Sequence, residues 1–159
     1  VSDTGQNLRI NVGTRGTIVD GALNPGSPDI VATAYTNSFA GTTSTTQYTL
    51  DATTNSLNIQ APPNNGTQTL VGALGVDFDK NSSFEIATGN LAFAALGTGG
   101  TNSVLYSVDL TTGTATSLGA ISTGAALRGF TSAPVPEPAS MAVLGLGLAA
   151  FRKRRAKKS

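Results

Sequence analysis

The chain has no cysteine, no histidine and no tryptophan, and only one methionine. Without cysteine, disulfides and thiolate metal sites are excluded. Without histidine, Ser-His-Asp and Cys-His catalysis fall away, together with the commonest metal ligand. Charge is sparse as well: Asp, Glu, Lys and Arg make up 12% of the residues, and aromatics only 6%. The net charge of +1 hides an asymmetry. Only Arg9, Arg15, Lys80 and Arg128 among the basic residues precede Ala139, against all nine acids, so this part carries −5 and the remaining tail +6. A mildly acidic region offers nothing to a phosphate backbone, and no nucleic-acid partner is expected.

What is abundant is Thr, Ala and Gly, the composition of a β-rich extracellular chain with many turns. Short alternating runs recur between turn signals. Strands are expected at Leu8–Val12, Thr17–Val19, Ile30–Thr36, Gln47–Asp51, Leu57–Gln60, Thr69–Val71, Gly75–Phe78, Leu91–Leu96, Val104–Leu110, Ala115–Ile121 and Leu127–Thr131. Nothing before Pro138 has a helical period. One phrase repeats: Leu8-Arg9-Ile10-Asn11, Tyr48-Thr49-Leu50-Asp51 and Tyr106-Ser107-Val108-Asp109 each lead into a turn and a second strand. In the latter two, Asn55 or Gly113 stands four positions past the Asp, where a positive φ is tolerated. The Asp side chain is then placed to accept from N–H groups ahead of it.

Repeated short strands with turn punctuation imply blades or an array. Gly75–Phe78, Leu91–Leu96, Val104–Leu110 and Ala115–Ile121 supply the four strands of one propeller blade, and Ile30 to Val71 supplies a second. The expected fold is all-β, a partial β-propeller-like array over residues 1–133, with a β-sandwich or meander as the alternative. Two blades and two part-blades do not close a propeller, so open strand edges are expected.

Candidate sites in this region are few. Asp77-Phe78-Asp79-Lys80-Asn81-Ser82-Ser83 spaces oxygen ligands like the start of a calcium loop, but Ser82 replaces the glycine, Thr88 the bidentate glutamate, and Lys80 adds a cation. A plain turn is the simpler reading. Asp20 and Glu85 are not visibly paired for acid–base work, and no base is marked beside any serine. Gly97-Thr98-Gly99-Gly100 lacks a Walker lysine. Asn65-Gly66-Thr67 and Asn81-Ser82-Ser83 match the glycosylation sequon. No cofactor and no enzymatic activity are expected.

The most specific stretch is the tail, residues 134–159. Pro136-Glu137-Pro138 is followed by an uncharged apolar run, Ala139 to Phe151, and then by Arg152, Lys153, Arg154, Arg155, Lys157 and Lys158. Pro138 suits the first turn of a helix, and Glu137 would sit at its positive end. Thirteen helical residues rise about 20 Å, short of a hydrocarbon core about 30 Å thick. Val143, Leu144, Leu146, Leu148 and Phe151 contribute only about −1.5 to −3 kcal/mol to insertion. The cations add about 1 kcal/mol each at an anionic leaflet, snorkel, and orient the basic end toward the cytoplasm. A buried core helix, a permanent anchor and a solvated basic tail each explain one part of this order; a removable sorting signal explains all of it.

The tail resembles the PEP-CTERM sorting signal of exopolysaccharide-producing Gram-negative bacteria. The resemblance implies recognition by an exosortase, a membrane-embedded cysteine protease or transpeptidase. It also implies transient insertion of one C-terminal helix in the inner membrane, cleavage near Pro136-Glu137-Pro138, and transfer to the cell surface. The region up to about Thr131 is similar to a propeller-like bacterial domain of unknown function, through Gly5-Gln6-Asn7-Leu8-Arg9-Ile10-Asn11 and Asp20-Gly21-Ala22-Leu23-Asn24-Pro25. Only the C-terminal part of such a domain is covered. Export needs an N-terminal signal, and the sequence opens at Val1 without an initiator methionine or such a signal, so a fragment or processed form is expected. The expected function is a structural or binding role at the cell surface or in the matrix, with exopolysaccharide as a further partner. The alternative is a carbohydrate-binding or carbohydrate-active propeller with its active residues in a preceding part.

Overall fold

The computed structural model describes residues 1–2, 4–100, 102–121 and 124–132. Among the described residues ten strands follow one another: β1 (Leu8–Ile10), β2 (Thr17–Val19), β3 (Ile30–Tyr35), β4 (Gln47–Asp51), β5 (Ser56–Gln60), β6 (Gln68–Ala73), β7 (Ser83–Ile86), β8 (Ala92–Gly97), β9 (Ser103–Val108) and β10 (Ala115–Ile121). β1 and β2 form a two-stranded hairpin. The other strands form two four-stranded antiparallel meanders, β3-β4-β5-β6 and β7-β8-β9-β10, each in chain order. The all-β expectation holds, and among the described residues helix is limited to the 3-10 turns Pro63–Asn65 and Thr88–Asn90. Neither sheet closes into a barrel. The C-terminal helix expected over 139–151 lies outside the described residues.

The three repeated phrases become β1, β4 and β9, and each ends in the same side-chain-closed turn. Asn11 Oδ1 accepts from the N–H groups of Gly13 and Thr14 at 2.9 and 3.0 Å. Asp51 Oδ1 accepts from Thr53 N at 2.9 Å. Asp109 Oδ1 accepts from Thr111 N and Thr112 N at 2.7 and 3.3 Å. Four positions on, Arg15, Asn55 and Gly113 have φ of 57°, 50° and 81°. The hairpins at Asn55 and Gly113 stand where the sequence placed them. The phrase does not mark a blade position, however, because β4 is second in its sheet and β9 third.

Asp109 gives this turn a measurable signature. The Thr111 hydroxyl and then its backbone N–H bond the carboxylate and hold its pKa below the ordinary value. A lowered folded-state pKa means that the unfolded chain binds the proton first. The stabilisation is therefore present above the unfolded pKa and is lost as pH falls through the folded one. Asn11 closes the equivalent turn with an uncharged amide. Asp109→Asn should accordingly keep the turn at pH 7 and remove its acid sensitivity, whereas Asp109→Ala should lower the urea midpoint at pH 7. Urea melts of the three proteins at pH 7 and at about pH 3 check this; an Asn variant as acid-sensitive as the parent would contradict it.

Two sequence expectations are corrected. Gly75–Phe78 is not a strand, and the first strand of the second sheet is Ser83–Ile86 instead. Gly75 has φ of +80°. The side chain of Asn55 clamps the next residues, donating to Asp77 Oδ1 at 2.9 Å and accepting from Phe78 N at 3.1 Å. Leu127–Thr131 is not a strand either. Leu127 N donates to Ser103 Oγ at 3.0 Å, so this backbone bonds a side chain rather than a ladder.

The two meanders face each other across an apolar core. Leu50 and Leu57, register partners and fully buried, come from the first sheet together with Ala34. Phe84, Ile86, Ala92, Ala94, Leu96 and Val108 come from the second, with Phe84 opposite Ala94 and Ile86 opposite Ala92. Small alanines between larger neighbours let the layers approach. β3 lies against β7, first strand to first strand. At the other end, Ala115 N at the start of β10 donates to Leu74 O just after β6.

The opposite face of the first sheet is polar yet buried. Gln47, Thr49 and Asp51 on β4 and Ser56, Asn58 and Gln60 on β5 are all nearly inaccessible. Burial of such groups is tolerable only when they are hydrogen-bonded. A relay runs from Thr49 Oγ1 to Gln68 Oε1 at 2.6 Å, from Gln68 Nε2 to Gln60 Oε1 at 2.9 Å, and from Gln60 Nε2 to Pro63 O at 2.8 Å. Asn7 closes it from the neighbouring segment, donating to the same Pro63 carbonyl at 2.7 Å. This relay fixes the β1–β2 hairpin beside the first sheet.

Candidate functional site

The expected sorting residues, Pro136, Glu137, Pro138, Arg152, Lys153, Arg154, Arg155, Lys157 and Lys158, lie outside the described residues. Among the described residues, no helix is long and apolar enough to cross a membrane.

The acidic positions singled out in the sequence are occupied structurally. Asp79 accepts from Asn81 N at 2.7 Å through one carboxylate oxygen and from Gly99 N through the other. It thus ties its own loop to the Gly97–Gly100 turn, and Asp77 is held by Asn55. The calcium-loop spacing therefore resolves into a side-chain-closed turn. Among the described residues no group of three acidic side chains is placed to hold a metal ion. Asp20 pairs with Arg9 at 2.9 Å, and Glu85 accepts from the hydroxyls of Thr131 and Ser132 at 3.4 and 3.3 Å. The two acids belong to different elements and form no acid–base pair. Of the sequon asparagines, Asn65 is exposed and Asn81 is half-buried.

One site was not anticipated. A cleft of about 300 Å³ opens between the β1–β2 hairpin and the β3–β4 edge of the first sheet. Arg9 and Asp20 line it from the hairpin side, Thr33, Tyr35 and Gln47 from the sheet, and Asn64 from the 3-10 turn. Its geometry comes from the elements around it. Leu8 pairs with Val19, which places Arg9 and Asp20 on the two rungs flanking that pair, on one face of the hairpin, and Tyr35 pairs with Gln47 at the end of the β3–β4 ladder. Gln47 is buried and donates through Nε2 to Thr33 Oγ1 at 3.0 Å; the Thr33 hydroxyl in turn donates to Tyr48 O at 3.1 Å. Tyr35 is 43% exposed, and partial burial raises the pKa of its phenol, which stays a protonated donor at any physiological pH. The six residues are scattered over 56 positions of sequence, so no local motif announced them.

Compared with known proteins, residues 1–131 match the family described as a domain of unknown function (DUF4394), and residues 134–156 match the PEP-CTERM protein-sorting motif. No curated protein and no solved structure matches the chain. The motif marks an exported protein targeted to an exosortase.

Proposed function

From the premise that this chain belongs to the DUF4394 family and carries a PEP-CTERM sorting motif, we propose that it is a non-enzymatic surface or matrix protein whose β region is part of a propeller-like array. The tail inserts transiently as a helix over 139–151, with the β region outside the cytoplasm, until the exosortase cuts near Pro136-Glu137-Pro138. The exported region then serves a structural or binding role, with exopolysaccharide as its surroundings.

The observation that carries the sorting step is the order of the tail: stiff acidic triplet, apolar run too short for a good anchor, dense cations. The propeller-like reading is supported by the packing of two successive four-stranded meanders against each other, with β3 against β7 at one end and a bond from Ala115 N to Leu74 O at the other. Propellers repeat such four-stranded sheets around a central channel. The non-enzymatic reading is supported by the absence of histidine and cysteine and by the turn-closing duties of Asp51, Asp79 and Asp109.

Glu137→Ala tests the sorting step. The carboxylate lies outside the hydrocarbon, so a general anchor tolerates its loss, whereas a protease-read signal does not. In the native host, the wild-type protein should be recovered outside the inner membrane with a mass lacking the tail. The variant should accumulate in the inner membrane with the tail intact. Full-length wild-type protein in the inner membrane, with the variant indistinguishable from it, would sink the reading.

A further inference from the structure

We infer that the cleft between the β1–β2 hairpin and the first four-stranded sheet is a binding site for one neutral sugar unit of a glycan. The inference rests on residues 9–64 and stands independently of the sorting step.

Hydrogen-bonding capacity is the first argument. The Tyr35 hydroxyl, Gln47 Oε1 and the Asn64 side chain have no partner among the described residues. Arg9 spends one N–H on Asp20 and keeps the others of its guanidinium. Donors and acceptors therefore share one space, with Arg9, Tyr35 and Gln47 on β strands, Asp20 just past β2 and Asn64 on the 3-10 turn. An apolar ligand would leave these groups unpaired as it excluded water from them. A sugar hydroxyl donates and accepts at once, so neighbouring hydroxyls can bond Asp20 and Arg9 together, and bonds to charged partners are the stronger kind.

Charge is the second argument. Arg9 and Asp20 cancel, and Asp20 is the more enclosed of the two, with its side chain 9% exposed against 50% for Arg9. An anion entering the cleft would meet a fixed carboxylate and an arginine whose charge that carboxylate already neutralises. A neutral ligand meets no such opposition. Shape is the third argument. The cleft volume is at the lower end of small-molecule sites, which run from about 300 to 1,000 Å³, and suits one ring with the rest of the chain in solvent. The half-exposed Tyr35 ring supplies the apolar platform that the C–H face of a pyranose needs, with a polar tip at its edge.

The test uses the intact chain in detergent and saturation-transfer NMR with titration, against glucose, galactose, mannose, N-acetylglucosamine and glucuronate. At least one neutral sugar should bind with a Kd in the millimolar range, and glucuronate should bind more weakly than glucose. Tyr35→Ala should weaken binding about tenfold or more, and Tyr35→Phe, which keeps the ring, by about fivefold or less. Arg9→Gln should weaken it about fivefold or more while the thermal melt stays cooperative. Four outcomes would overturn the inference: no saturation by any neutral sugar, preference for glucuronate, binding unaffected by both Tyr35→Ala and Arg9→Gln, or equal losses in Tyr35→Phe and Tyr35→Ala.

Discussion

Gly72→Ala should destabilise the protein by about 3 kcal/mol or more and lower its Tm by about 10 °C or more, although it adds a single methyl group. Gly72 lies on β6 opposite Leu57, beside a register shift. A Cβ there would lie 2.0 Å from Thr112 O and 3.0 Å from Thr112 C, both backbone atoms. Overlap with a flexible side chain is relieved by rotation; overlap with a carbonyl requires the turn to move. This turn is tied down. Gly113 N donates to Asp109 O at 2.8 Å, the Asp109 carboxylate holds the two preceding N–H groups, and Gly113 itself has φ of +81°. A Cβ on Gly113 would in turn lie 2.6 Å from Gly72 O. The two glycines are thus one backbone-to-backbone contact, and it joins the outer parts of the two meanders. Scanning calorimetry of Gly72→Ala beside Gly129→Ala decides the matter. A Cβ on Gly129 meets nothing within 4 Å, and that variant should stay within about 0.5 kcal/mol of the parent. If Gly72→Ala melts with the parent, the contact between the meanders is not as described.

The same contact shows which parts of the fold were legible in the sequence. The Asn55 and Gly113 hairpins were readable because everything that makes them is local: an Asp, two N–H groups just ahead and a residue that accepts positive φ. Arg15 occupies the equivalent place in the first hairpin at φ of 57° and carries no such mark. β7 was missed for a different reason. Ser83-Phe84-Glu85-Ile86 alternates, but it comes directly after the Asp77–Asn81 oxygen spacing, which draws the reading toward a loop. What decides there is Asn55, more than 20 residues earlier, and its two bonds to Asp77 and Phe78. Gly72 shows itself in sequence only as a glycine in a strand, a sign of a bulge or a close approach without an indication of what approaches.

The buried polar face of the first sheet was the least legible feature. Gln47, Thr49, Asp51, Ser56, Asn58 and Gln60 alternate with Tyr48, Leu50, Leu57 and Ile59, the pattern of one polar and one apolar sheet face. The polar ones are nonetheless buried: Asn7 and Pro63 cover the Gln60 end, Gln68 takes up Thr49, and Asp51 is bonded by Asp29 N, Thr53 N and the Thr54 hydroxyl. Period-2 patterning reports which face is apolar; it does not report whether a polar face is wet. The cleft arises from this arrangement, since the hairpin that covers part of the sheet stops short of Tyr35 and Gln47 and leaves their polar atoms facing open space.

For the tail, charge outweighs apolar area, and this leads to the second large effect. The apolar side chains of residues 139–151 supply about 1.5 to 3 kcal/mol toward insertion, while each cation near an anionic leaflet supplies about 1 kcal/mol. Replacing Arg152, Lys153, Arg154 and Arg155 by Gln removes about 4 kcal/mol, a partition roughly a thousandfold weaker. In the proposed orientation it also removes the positive charge that would keep this end in the cytoplasm. The quadruple variant should therefore be lost from the inner membrane before processing, and the fraction that inserts should show both orientations in protease protection. Glu137→Ala has the opposite signature, with retention and orientation intact and cleavage lost. The contrast also sets a salt dependence. Exposed charges act over about 10 Å at 0.1 M salt and about 3 Å at 1 M. A synthetic 134–159 peptide should accordingly leave phosphatidylserine vesicles as salt rises, and the Gln-substituted peptide should bind weakly at every salt concentration. Equal vesicle binding by the two peptides at low salt would show that the apolar run alone holds the tail, and the division of labour between Glu137 and the cations would fail with it.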